Sequence, residues 1–170
     1  MSSQELLQET FSSTLYLVCG KAAAGKSTLA AQLASKAHTV LIEEDDWLAR
    51  LYPGEISDLA GYVRCTGRVR DVLGGLIVGL LRQGMSVVLD FPANTPPHRQ
   101  WAKNLSDEAG ARHELHYLEV TNETCKKRLR ERNASGSHPF TLSEEAFDQI
   151  TRYFVPPSPG EGLNLVLHDD

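Results

Sequence analysis

The chain of 170 residues is poor in cysteine: Cys19, Cys65 and Cys125 stand far apart, and the count is odd. With no Cys-x-x-Cys pair, free thiols in a reducing cytosol are expected. There is no surplus of positive charge either. Lys and Arg number 17 against 22 Asp and Glu, for a net charge of −5. That gives no broad attraction to nucleic acid or to an anionic membrane, although a local basic groove stays open. No long hydrophobic run occurs. The longest, Val72 to Leu81, contains three glycines and is too short to span a bilayer. The opening MSSQELLQETFSS has no basic stretch followed by an apolar one, so no signal peptide is expected. Repeats and low-complexity segments are absent. A soluble, cytoplasmic protein with no membrane partner is expected, a monomer or homodimer with one domain over residues 1–170.

Hydrophobic residues make up 41% and charged residues 23%, a balance that supports one sizeable core. Short β-rich apolar runs alternate with helical patterns. Strands are predicted at Thr14–Cys19, Thr39–Ile42, Ser86–Asp90, His113–Val120 and Leu163–Leu167. Helices are predicted at Gly25–Lys36, Arg64–Gln83, Pro96–Ala109, Asn122–Asn133 and Leu142–Tyr153, with a helical turn at Trp47–Tyr52. Gly74, Gly75 and Gly79 weaken the second helix and permit close packing. Pro53–Gly61 and Asn133–Pro139 read as surface loops. The alternation predicts an α/β fold: a mainly parallel five-stranded sheet with helices on both faces. The core spans about 14–168.

Between the first strand and the first helix lies GKAAAGKST, Gly20 to Thr28. It matches GxxxxGK[ST] at every fixed position. Such a loop curls so that several N–H groups meet phosphate oxygens, and the following helix adds its positive end. The cradle is formed by Gly20, Ala22, Ala23, Ala24 and Gly25, with Thr28 at its end. Lys26 reaches the β- and γ-phosphates, and Ser27 is a candidate Mg²⁺ ligand. ATP and Mg²⁺ are the expected cofactors.

Ligands of open parallel sheets bind at the carboxyl ends of the strands. The second predicted strand ends in Glu43-Glu44-Asp45-Asp46, and the third ends in Asp90. Asp90 is the candidate second Mg²⁺ ligand. Asp45 or Asp46 is the candidate general base, able to accept a proton from an attacking hydroxyl. CKKRLRERN, Cys125 to Asn133, places Arg128 and Arg132 on one helix face, with Arg130 elsewhere. Paired arginines can neutralise a moving phosphoryl, and a lid over about 122–141 is expected, with SGSHP as its flexible part. Arg50, Tyr52, Arg64 and Arg68 are weaker candidates for a substrate pocket. Asn94 and Arg99 are placed near the crevice, to position substrate or brace the loop. Trp47 and Trp101 read as packing residues. His113 and His116 form HxxH but face opposite sides of a strand, so zinc is not expected.

The order of these pieces resembles the small P-loop kinases of the polynucleotide kinase, zeta toxin and chloramphenicol phosphotransferase group, over about Leu15 to Val155. That group carries a phosphate loop, a strand ending in Asp-Asp and an aromatic, here Asp45-Asp46-Trp47. It then carries a strand ending in Asp followed by Asn, Arg and Trp, here Asp90, Asn94, Arg99 and Trp101, and an arginine-bearing lid helix. The resemblance implies a P-loop NTPase fold with a helical lid, Asp45 as base, Arg128 and Arg132 as lid arginines, and Pro157, in Val155-Pro156-Pro157, beside the adenine. Two residues, Pro92-Ala93, are extra relative to that pattern. The arginine after the Asp-Asp pair is absent, Arg50 being nearest.

The expected reaction is transfer of the γ-phosphoryl of ATP to a hydroxyl of a small molecule or of a nucleotide or nucleic-acid end. The net charge does not favour nucleic acid. The alternative is an ATPase or nucleotide-binding regulatory protein, disfavoured because Phe91 stands where a water-activating Glu would follow Asp90. A GTPase switch is less favoured still: Asp71-Val-Leu-Gly74 spells DxxG inside a predicted helix, and no NKxD sequence follows.

Overall fold

The computed structural model describes residues 12–136 and 141–169. Five strands, β1 (Thr14–Cys19), β2 (Thr39–Glu43), β3 (Ser86–Pro92), β4 (Arg112–Glu119) and β5 (Leu165–Asp169), form one sheet in the order β2-β3-β1-β4-β5. Every neighbouring pair is parallel. The helices are α1 (Lys26–Ala34), α2 (Glu44–Leu51), α3 (Leu59–Arg82), α4 (Pro96–Ala109), α5 (Asn122–Ser135) and α6 (Glu144–Thr151). A 3-10 turn at Pro159–Glu161 precedes β5.

β1 is buried at every position because it is the central strand and is covered on both faces. Leu15, Leu17 and Cys19 pack with Val69, Leu73 and Ile77 of α3 and Leu105 of α4. Tyr16 and Val18 point the other way, onto Ala30 and Leu33 of α1. At the edge, β5 alternates between exposed and half-buried residues.

Element types agree with the sequence reading, and several ends move. α2 begins at Glu44 rather than Trp47, so the acidic run forms its first turn, where the positive end of the helix favours it. α3 begins at Leu59, because the Asp58 carboxylate caps it by accepting from the Gly61 N–H at 2.7 Å. This shortens the expected loop at 53–61. Of the three glycines thought to permit packing, only Gly74 has a neighbour, Leu105; Gly75 and Gly79 face open space. Asp71 and Gly74 lie inside α3, where DxxG cannot act as a strand-end switch. Part of the lid's expected flexible segment, residues 137–140, lies outside the described residues, as do residues 1–11 of the opening stretch. No helix among the described residues is long and apolar enough to cross a membrane.

Arg99 of α4 is fully buried (0% exposed). Its guanidinium meets Glu161 through Nε at 2.7 Å and Nη2 at 2.9 Å. Nη1 donates to the carbonyls of Ala93, at 3.0 Å, and Val155, at 2.9 Å. The Val155 N–H in turn donates to the Asn94 carbonyl at 2.9 Å. One cation thus ties the β3–α4 turn to the segment after α6 and to the turn before β5. Phe91 and Trp101 stack beside this region and confirm Trp101 as a packing residue.

Removing one partner of a buried ion pair strands the other. Glu161→Gln should lower unfolding free energy by about 3 kcal/mol or more in denaturant titrations. The pH dependence has a definite sign. The Arg99 guanidinium holds the Glu161 carboxyl below the usual carboxylate range. Its contribution is therefore present above the unfolded-state value and is lost as pH falls through the folded one. Wild type should lose stability on acidification below about pH 4.5, and Glu161→Gln should lose less.

Candidate active site

β1 ends at the centre of the sheet, so the loop after it opens between β3 and β4. Gly20 is required by proximity: a Cβ there would lie 3.1 Å from the Leu118 carbonyl oxygen. Gly25 is required by conformation, with φ +105° immediately before α1. No side chain caps α1. Its first-turn N–H groups are therefore left for another acceptor. Ser27 and Thr28 are exposed at this end of the helix.

The loop is braced from two sides. On one, the Asn94 side-chain oxygen accepts from the Gly20 N–H at 3.0 Å, and Asn94 is itself held by the Arg99 clasp. Asn94 and Arg99 therefore brace the loop. On the other side, Ala24 is buried with Val120, Cys125, Leu129 and Phe147, and Ala22 and Ala23 pack against this cluster. α5, the expected lid helix, is thus seated on the phosphate loop through Cys125 and Leu129. Arg128 donates to the Ala24 carbonyl at 3.2 Å.

Lys26 folds back and donates from Nζ to the carbonyls of Gly20, at 2.8 Å, and Lys21, at 2.7 Å. Burial lowers its pKa, and Asp90 is the strongest opposing influence, with Asp45 a weaker one. Both carboxylates are therefore near enough to act on the lysine. Asp45 also acts on Tyr62 and Glu44. Asp46 instead forms an exposed pair with Arg50, Nε to Oδ1 at 2.9 Å. That pairing ties up Arg50 as a pocket cation. Arg64 and Arg68 are exposed on α3, and Tyr52 packs against the core.

Glu44 is indistinguishable from its acidic neighbours in sequence. It is 1% exposed, with Arg70 Nε and Nη2 each 3.0 Å from Oε2 and Tyr62 Oη 3.3 Å from Oε1. Burial pushes its carboxyl pKa up, and Arg70 resists that shift. This group fixes the start of α2, and with it Asp45, against α3. Its partners lie 18 and 26 residues away, so no local pattern reveals them.

Beside the loop is a groove of about 430 Å³ lined by Gly25, Thr28, Leu29, Gln32, Leu118, Arg128 and His168. Gly25, Thr28 and Arg128 are among the residues the sequence places at the ligand; Gln32 and His168 are not. Pro157 is half-buried two residues beyond the clasped Val155 and is not among the lining residues. Arg132 lies one turn beyond Arg128, and its Nε is buried without a hydrogen-bond partner among the described residues. Arg130 turns outward to Glu144 at 2.5 Å.

A buried donor left unpaired costs about 1–3 kcal/mol. Arg132→Met should therefore leave the unliganded protein as stable as wild type, or raise its melting temperature, in thermal scans. The same substitution should weaken binding of a nucleoside triphosphate by about tenfold or more in calorimetry.

A family model described as AAA domain matches residues 15–157. No curated protein sequence matches the chain. Among solved structures, a candidate kinase from Chloroflexus aurantiacus is 22% identical, with 93% of this chain and 85% of that one covered at a TM-score of 0.73. Chaetomium thermophilum Kti12, in complex with ADP-AlF3, is 17% identical over 91% and 88% of the two chains at 0.66. A gluconokinase from Sinorhizobium meliloti is 14% identical over 94% and 83% at 0.60. With phosphate loop, parallel sheet and family match in agreement, this chain belongs to the AAA domain family and has the fold of the small P-loop kinases.

Proposed function

We propose that the protein is a Mg²⁺-dependent phosphotransferase that moves the γ-phosphoryl of ATP to a hydroxyl of a small molecule or nucleotide. The observation that carries this reading is the placement of two carboxylates around Lys26. Asp90, two residues before the end of β3, and Asp45, in the first turn of α2, both favour the charged form of Lys26, Asp90 the more strongly. A kinase needs one oxygen ligand for the metal and one proton acceptor for the attacking hydroxyl. The kinases among the structural neighbours support the same reading.

Ser27 and Asp90 fit Mg²⁺ as hard oxygen donors at the mouth of the loop. The ion, when bound, supplies positive charge to the β- and γ-phosphate oxygens. Lys26 would exchange its two carbonyl acceptors for phosphate oxygens. Asp45 would accept the proton of the acceptor hydroxyl as that oxygen bonds to the γ-phosphorus and the bond to the bridging β–γ oxygen breaks. Arg128 and Arg132 would meet the charge on the moving group. The family resemblance carries Pro157 to the adenine, but Pro157 does not line the groove beside the loop, so the groove residues are the better candidates to hold the base. Phe91, buried next to Asp90, leaves that position without a carboxylate to activate water, which favours transfer over hydrolysis.

The test is a transfer screen with γ-labelled ATP, Mg²⁺ and pooled hydroxyl acceptors: nucleosides, sugars, aminoglycosides, chloramphenicol, and DNA and RNA 5′-ends. Label should move to one acceptor class and stay on ATP with Lys26→Ala. Asp45→Asn should lower kcat by about 10²–10⁴ while nucleotide affinity holds. Label released only as free phosphate, whatever the acceptor, would favour an ATPase instead.

A further inference from the structure

His116 and His168 take no part in the chemistry above, yet they form a chain, buried at His116 and half-buried at His168, that ends at the groove. His116 of β4 is 5% exposed and packs beside the Tyr16 ring of β1. Its Nε2 lies 3.2 Å from the Glu114 carboxylate, and its Nδ1 lies 2.9 Å from Nε2 of His168 on β5. The two imidazoles stack with centroids 5.1 Å apart and planes 27° apart. His168 in turn lines the groove beside the phosphate loop, with Gln32, Thr28 and Arg128.

Hydrogen-bond logic fixes the protons along this chain. A carboxylate only accepts, so His116 carries its proton on Nε2. A neutral His116 then has a lone pair on Nδ1, which must accept from His168 Nε2–H. A neutral His168 is left with a lone pair on Nδ1, its only ring nitrogen not already engaged. The surrounding charges favour this neutral state. Glu114 is the anion of the cluster, while burial, His168 and Lys36 all oppose charge on His116 and hold its pKa below the usual histidine range. Tyr16 accepts from Lys36 at 3.3 Å, and Arg128 adds positive charge across the groove.

We infer that His168 is a base-reading residue, its Nδ1 an acceptor that selects a purine with an amino group at C6, adenine over guanine, in the groove. The inference rests on the nucleotide reading above. An exocyclic N6 amine donates to such a nitrogen, whereas guanine offers a carbonyl oxygen there, and two acceptors repel. Glu114 and His116 are positioning residues: they touch no ligand but decide which way His168 points its proton.

The experiment is calorimetric titration of the full chain with AMP-PNP and GMP-PNP, each with Mg²⁺, at pH 7.5. Wild type should bind the adenine analogue about tenfold more tightly than the guanine analogue. His168→Phe, which keeps an aromatic ring, should bring the two within about threefold. Glu114→Gln lies away from the groove and should also shrink the ratio, because an amide can donate or accept and lets the chain reverse. A packing role alone would lower the melting temperature and leave the ratio unchanged; an unchanged ratio in His168→Phe overturns the inference. If wild type binds neither analogue, or Lys26→Ala binds both as wild type does, the nucleotide reading falls first and takes this one with it.

Discussion

A guanidinium sealed from water must find an acceptor for each donor, and Arg99 finds them in three parts of the chain. The β3–α4 turn cannot shift without breaking its bond to Ala93, nor the segment after α6 without losing Val155. Asn94 sits between these two and holds Gly20, so the shape of the phosphate loop is inherited from a charge buried behind it. Hydrophobic packing of β1 decides where the loop emerges. The Arg99 network decides how firmly it is held.

The second constraint is the seating of α5. Cys125, Leu129, Val120 and Phe147 enclose Ala24, so the helix that carries both arginines shares a small core with the loop those arginines serve. A lid hinged wholly outside the fold would be free to place its charges anywhere. Here the first two turns of α5 are anchored on the loop through Cys125 and Leu129, and the residues beyond them are tied to the segment around α6, Arg130 to Glu144 and Asn133 to the Leu142 carbonyl. Arg128 lies on the anchored part and already touches the loop; Arg132 lies past it, with its Nε unpaired among the described residues.

Much of this was readable in one dimension. Strand–loop–helix order, the GxxxxGK[ST] spacing and apolar runs of strand length define the sheet and the phosphate end of the site, because each depends on neighbours in sequence. Asp90 and Asp45 were singled out by their nearness to predicted strand ends; in the structure Asp90 lies two residues before the end of β3 and Asp45 in the first turn of α2. The hidden part depends on partners far along the chain. Glu44 needs Tyr62 and Arg70, Arg99 needs Glu161, and His168 needs His116; in each case a charged or polar residue looks like any other until the fold brings its partner. The helix starts moved for the opposite reason, a local one: Asp58 is an N-cap and the EEDD run a favourable first turn, and both signals lay in plain view.

The bonds from Lys26 to the carbonyls of Gly20 and Lys21 have a consequence for how ligands are ranked. The loop is self-occupied: its own lysine plays the guest. A ligand must displace an ammonium that is already satisfied, so the deciding quantity is the difference between two carbonyl acceptors and the ligand's outer phosphate oxygens. Under the proposed phosphotransferase function, a nucleoside monophosphate would offer too little in that exchange, whereas a triphosphate would draw the lysine outward. The loop would then discriminate by phosphate number before any acceptor arrives, and the lysine's return to its own backbone would help to expel the spent nucleotide.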